Sequence, residues 1–125
     1  MFERKITKKD IARFVTLTGD DHPLHTKKKY AQKMGFKDVL VHGMLGSAFF
    51  STLVGKYLPN QQFMYLSQSL TFHKPLYPNQ KVTVIGTLEK RMLSGTLLIL
   101  KTQLRSEANE LIISGIARVK QIAKL

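Results

Sequence analysis

Apolar and polar positions along the chain change period several times. Residues 2–6 read as a short opening strand. Thr7 is followed three residues later by Asp10, a capping box in which hydroxyl and carboxylate satisfy free backbone N–H groups. Ile11, Phe14 and Val15 then fall at helical spacing, and Gly19 can end the last turn, which predicts a helix over about 8–18. Gly-Asp-Asp-His-Pro-Leu-His, residues 19–25, reads as a loop, because Pro23 forbids helix through it and pushes His22 toward extended backbone. Thr26 is expected to cap a short basic helix, Lys27–Met34, closed by Gly35. A loop over 35–42 leads to the stretch that organises the chain. Residues 43–55, Gly-Met-Leu-Gly-Ser-Ala-Phe-Phe-Ser-Thr-Leu-Val-Gly, carry no charge. Met44, Leu45, Ala48, Phe49, Leu53 and Val54 go nearly all the way round a 3.6-residue helix, which predicts a helix buried on every side. A membrane crossing needs about 18 or more apolar residues, so this is read as a central core helix of about three to four turns.

After Tyr57-Leu58-Pro59-Asn60 the period becomes two. Met64, Leu66, Leu70 and Phe72 alternate with Tyr65, Ser67, Ser69 and Thr71, predicting a strand that the His73–Pro75 step and Pro78-Asn79 interrupt. Val82, Val84 and Leu88 predict the next strand, with Gly86 as a bulge or bend. Ser94-Gly95 turns into a strand over Thr96–Leu104. Residues Glu107–Glu110 turn again into a last strand, Leu111–Ile122. Long strands joined by short turns form an antiparallel meander. The expected fold class is α+β: one domain over residues 1–125, a curved antiparallel sheet of about five strands wrapped around the apolar helix.

Composition narrows the function classes. With no cysteine, a disulfide framework and thiolate metal sites are excluded. The opening residues hold no apolar run of signal-peptide length, so a cytoplasmic protein is expected. The net charge is +12, which favours anionic partners. Lys27, Lys28, Lys29, Lys33 and Lys37 form the one dense basic cluster. No nucleic-acid motif is legible, so neither a nucleic acid nor a membrane is the expected partner.

The 19–25 loop concentrates two carboxylates and two imidazoles, the greatest acid–base capacity of any stretch. Such residues more often cap and turn than react. Three features favour chemistry. Asp20 and His25 sit on a turn held by Gly19 and Pro23. The helix beginning at Gly43 offers unpaired N–H groups with partial positive charge, able to polarise a carbonyl. Gly43 has no side chain to keep a ligand from its N–H. His42, flanking that helix, is expected to pack or hydrogen-bond rather than react. No metal site is expected, since the four histidines lack ligand spacing.

Thr18-Gly19-Asp20-Asp21-His22-Pro23-Leu24-His25, followed by Val41-His42-Gly43-Met44-Leu45, resembles the MaoC-like, R-specific enoyl-thioester hydratases and dehydratases. Gln68-Ser69-Leu70-Thr71-Phe72 and Pro75-Leu76-Tyr77-Pro78 are similar to later stretches of that family. The resemblance implies the hot-dog fold and reversible hydration of trans-2-enoyl thioesters to R-3-hydroxyacyl thioesters in fatty acid metabolism. It further implies an acyl-CoA or acyl carrier protein substrate, no cofactor, and a homodimer. Carried over residue by residue, it makes Asp20 and His25 the acid–base pair and Gly43 the donor to the thioester carbonyl. Ser51 becomes a supporting serine for the carboxylate. The sequence departs from the pattern at His22, where Asn or Asp is usual, and at Asp21. Two other readings compete: a hot-dog thioesterase, and a non-catalytic acyl-thioester or nucleic-acid binding module.

Overall fold

In a computed structural model, described over residues 1–59 and 62–122, the elements follow the sequence periods closely. Strand β1 (Phe2–Lys5) leads to helix α1 (Lys8–Thr18). Thr7 and Asp10 close the capping box in both directions, and Gly19 ends the helix in left-handed backbone at φ 78°. Helix α3 (Lys28–Lys33) and helix α4 (Gly43–Tyr57) occupy the two further helical stretches.

Between α1 and α3 the chain departs from the loop expected from its sequence. The loop contains one more helical turn, α2 (Pro23–Thr26). Proline stops a helix in its interior but suits the first helical position, where the N–H is unpaired anyway. Thr26 therefore ends α2 and does not cap α3. Its Oγ1 donates to the carbonyls of Asp21 and His22, both at 3.3 Å, and Lys27 caps α3 without a side-chain bond.

The strands β2 (Phe63–Gln68), β3 (Thr71–Phe72), β4 (Lys81–Met92), β5 (Leu97–Ser106) and β6 (Leu111–Gln121) complete one antiparallel sheet. Its order is β1-β4-β5-β6-β2, with β3 also on β6. The meander β4-β5-β6 is thus its centre. The strand expected over 64–72 is broken in two at Ser69–Leu70, where Ser69 Oγ accepts from the Ile116 N–H at 2.9 Å in place of a regular ladder. The bulge expected at Gly86 lies instead between Leu88 and Lys90. Gly86 serves a different end: a Cβ there would stand 2.6 Å from Leu53 Cδ2, so its absence lets α4 sit close on the sheet. Asn60, at the end of the expected break after α4, lies outside the described residues.

Helix α4 touches β2, β4, β5 and β6, so it lies within the curl of the sheet. It buries Gly46, Ser47, Phe50, Leu53 and Val54, one face at helical spacing. Each large apolar side chain so buried contributes about 1.5–3 kcal/mol. Burial on every side, expected from the sequence, does not hold within one chain. Met44 is 60% exposed, and Ala48, Ser51 and Gly55 follow it along the same open stripe. One sheet covers only one side of a helix.

Candidate active site

Asp20 stands just past Gly19, whose left-handed backbone ends α1. The side chain is half-exposed. The Asp20 N–H donates to Thr18 Oγ1 at 3.2 Å, and Asp20 Oδ1 lies 3.4 Å from the His22 N–H. His22, the departure from the usual Asn or Asp, does the same local work as those residues. Its Nδ1 accepts from the Leu24 N–H at 3.1 Å and caps α2.

His25 sits in the last turn of α2. Its Nδ1 lies 2.7 Å from the Leu40 carbonyl. A carbonyl only accepts, so Nδ1 carries the proton and the neutral ring keeps a lone pair on Nε2. Burial, the largest influence, pushes the His25 pKa below its ordinary value. The Leu40 hydrogen bond works against that shift, and His42 adds to it. His25 is therefore neutral at pH 7.

Asp20, His25 and His42 each place one polar side-chain atom within 4.8 Å of the others. No direct hydrogen bond joins Asp20 to His25 among the described residues. A water hydrogen-bonded to two groups spans up to roughly 5.5 Å between them, so one water can touch both. The cluster suits a metal ion poorly. The His25 and His42 rings are stacked 3.7 Å apart at 20°, and an ion cannot lie in the planes of two near-parallel rings at once.

Gly43 opens α4, and His42, its N-cap, makes no side-chain cap bond. The first N–H groups bonded back to His42 O are those of Leu45 and Gly46. The Gly43 N–H is left without a partner among the described residues. A Cβ on Gly43 would stand 2.6 Å from the Phe72 ring, so the ring lies over Gly43 as closely as a glycine allows. Ser47 Oγ donates to the Gly43 carbonyl at 2.8 Å and holds the first turn. His25, Gly43 and Met44 separate two cavities. One, about 490 Å³, contains Asp20, His42 and Phe14; the other, about 460 Å³ and mostly apolar, runs past Phe36, Phe72 and Leu76.

The predicted residues Asp20, His25 and Gly43 thus converge, with Gly19 and Pro23 shaping the turn between them. Ser51 does not join them within the chain. It lies eight residues beyond Gly43, about 12 Å along the axis, on the open stripe, with no bond to Asp20 among the described residues. Sequence reasoning missed the Leu40 carbonyl, which meets His25 across the fold, and Ser47, whose bond to Gly43 lies within the first turn of α4.

A profile of the MaoC like domain matches residues 2–107. The chain belongs to the MaoC-like family. It is 32% identical over 111 residues to the (R)-specific enoyl-CoA hydratase of Aeromonas caviae, covering 89% of this chain and 83% of that protein. The mitochondrial 3-hydroxyacyl-[acyl-carrier-protein] dehydratase of Arabidopsis thaliana is 35% identical over 79 residues, 63% of this chain and 46% of that one. The solved A. caviae (R)-hydratase superposes with a TM-score of 0.91 at 30% identity, covering 97% of this chain and 92% of that one. The curled sheet around α4 is therefore the hot-dog fold.

Proposed function

We propose that this MaoC-like protein is a hydro-lyase that reversibly hydrates trans-2-enoyl thioesters to (R)-3-hydroxyacyl thioesters, with coenzyme A as the carrier. The observation that carries the reading is the meeting of Asp20, His25 and the unpaired Gly43 N–H between two cavities. The relatives named as a hydratase and a dehydratase support it over the thioesterase alternative.

The Asp20 carboxylate and His25 Nε2 are both acceptors. A water donating to each has both O–H bonds turned toward the pair and a lone pair left for C3 of the substrate. Asp20, assisted by His25, takes a proton as the C3–O bond forms. The C2–C3 π electrons move toward the thioester carbonyl, whose growing negative charge the Gly43 N–H stabilises. Return of a proton to C2 completes the addition, so the elements of water are added and nothing is oxidised. The thioester is the electron sink, and the step calls on no cofactor.

Assembly belongs to the same reading. β2 is an edge strand with Met64 and Leu66 exposed, and the open stripe of α4 is apolar and small. Free edges of this kind pair with another strand. A homodimer that joins two β2 edges covers both features.

The test is loss of the enoyl-thioester absorbance of crotonyl-CoA, with chiral analysis of the product. Accumulation of (R)-3-hydroxybutyryl-CoA is expected. Release of free coenzyme A without hydration would make the protein a thioesterase. Tight, salt-sensitive binding of duplex DNA with no turnover would make it a binding module.

A further inference from the structure

His42 is only 3% exposed, although it caps the N-terminus of α4. Its ring is held between Phe14, at 4.6 Å and 50°, and His25, at 3.7 Å and 20°. Nε2 lies 2.9 Å from the Asp20 carbonyl. That carbonyl can only accept, so Nε2 carries the proton. Nδ1 is buried with no hydrogen-bond partner. An unmet buried nitrogen is costly, and a purely apolar ring would fill the same space without it. What an apolar ring lacks is the donor to Asp20. That bond is the shortest of those fixing Asp20; the others, at 3.2 and 3.4 Å, are longer.

We propose that His42 is a positioning residue: one ring clamps the Asp20 main chain, backs the His25 imidazole and precedes Gly43, so it holds the acid, the base and the N–H donor in mutual register. The inference rests on the function proposed above. His42 Nε2 is 3.9 Å from Asp20 Oδ2, too far for a hydrogen bond, and the buried ring offers almost no surface to a substrate. It acts through its neighbours. The titratable groups facing His25 are Asp20, His22 and His42; burial is the largest influence that lowers the His25 pKa, and His42 adds to that lowering.

Two variants separate donor from stack. His42→Phe keeps an aromatic ring against His25 and Phe14 but loses the donor. His42→Gln keeps a donor at nearly the position of Nε2. Small displacements of reacting groups cost on the order of 100-fold, so H42F is expected to lose about that factor in kcat with KM nearly unchanged. H42Q should recover to within about tenfold of the parent. The NMR titration midpoint of His25 should rise in H42F. The amides of Asp20 to His22 should exchange faster in H42F and slow again in H42Q. Full kcat and unchanged exchange in H42F would overturn the proposal. So would a folded H42Q as impaired as H42F. The unaltered protein supplies a check that needs neither variant: 15N shifts of His42 must report the Nε2–H tautomer, and the Nδ1–H form contradicts the clamp. Exchange and tautomer are read without substrate. They test the clamp even if crotonyl-CoA is not turned over, a result that would count against the proposed function alone.

Discussion

At the scale of single residues, the chemistry depends on which nitrogen of His25 is bare. The Leu40 carbonyl decides this by occupying Nδ1. Burial keeps the ring neutral near pH 7, with a pKa below the ordinary value of about 6.5. The acid limb of kcat/KM for hydration should therefore have its midpoint below pH 6.5. The same shift bears on stability. Between the folded and unfolded pKa values the unfolded chain binds more protons, so His25's contribution is intact above about pH 6.5 and is lost as pH falls through the folded value. A pH–rate profile and NMR titration of His25 should agree; an acid limb well above 6.5 would contradict the assignment. Much of this site is legible in the sequence, because Gly19, Asp20, Pro23 and His25 lie within one turn and constrain each other locally. The tautomer is not legible. Leu40 is fifteen residues from His25, and His42 is twenty-two from Asp20, so only the fold brings these atoms together.

At the scale of elements, α3 follows the active turn directly, and Lys27, Lys28 and Lys29 are all exposed. Exposed charges steer an anionic substrate but are screened by salt. Replacing the three with Ala should raise KM for crotonyl-CoA by several-fold at low salt, flatten the dependence of KM on salt, and leave kcat nearly unchanged. An unchanged KM at low ionic strength would make the cluster a solvated surface only. Elements with strong local signals follow the sequence reading: the Thr7–Asp10 box and Gly19 bracket α1, and the β4-β5-β6 meander falls between its turns. Elements that turn on context differ. Pro23 reads as a breaker, yet opens α2. Period two continues through Ser69, yet a bond from Ile116 to its hydroxyl parts β2 from β3.

At the scale of the whole molecule, the proposed dimer would cover the part of α4 that the sheet leaves open. The sheet takes one face, and Met44, Ala48 and Ser51 remain open. From the sequence, burial of the whole helix is expected, whereas the chain by itself buries one face. Light scattering should give a dimer. Leu66→Arg, which puts a charge on an apolar position 47% exposed on the β2 edge, should shift the protein toward monomer and lower its melting temperature. A monomeric parent protein, or an L66R variant that dimerises as strongly as the parent, contradicts this assembly. No described helix is long and apolar enough to cross a membrane.

The central claim is that Asp20 and His25 work on one water as a unit, and a double-mutant cycle tests it most directly. General acid–base groups contribute about 100- to 10,000-fold each, and groups acting together are not additive. Asp20→Asn and His25→Gln should each remove most of kcat for crotonyl-CoA hydration. The double variant should be little worse than either, Asp21→Asn should keep most activity, and all four should melt near the parent temperature. Full activity in folded Asp20→Asn, or single losses that multiply in the double variant, would contradict the account.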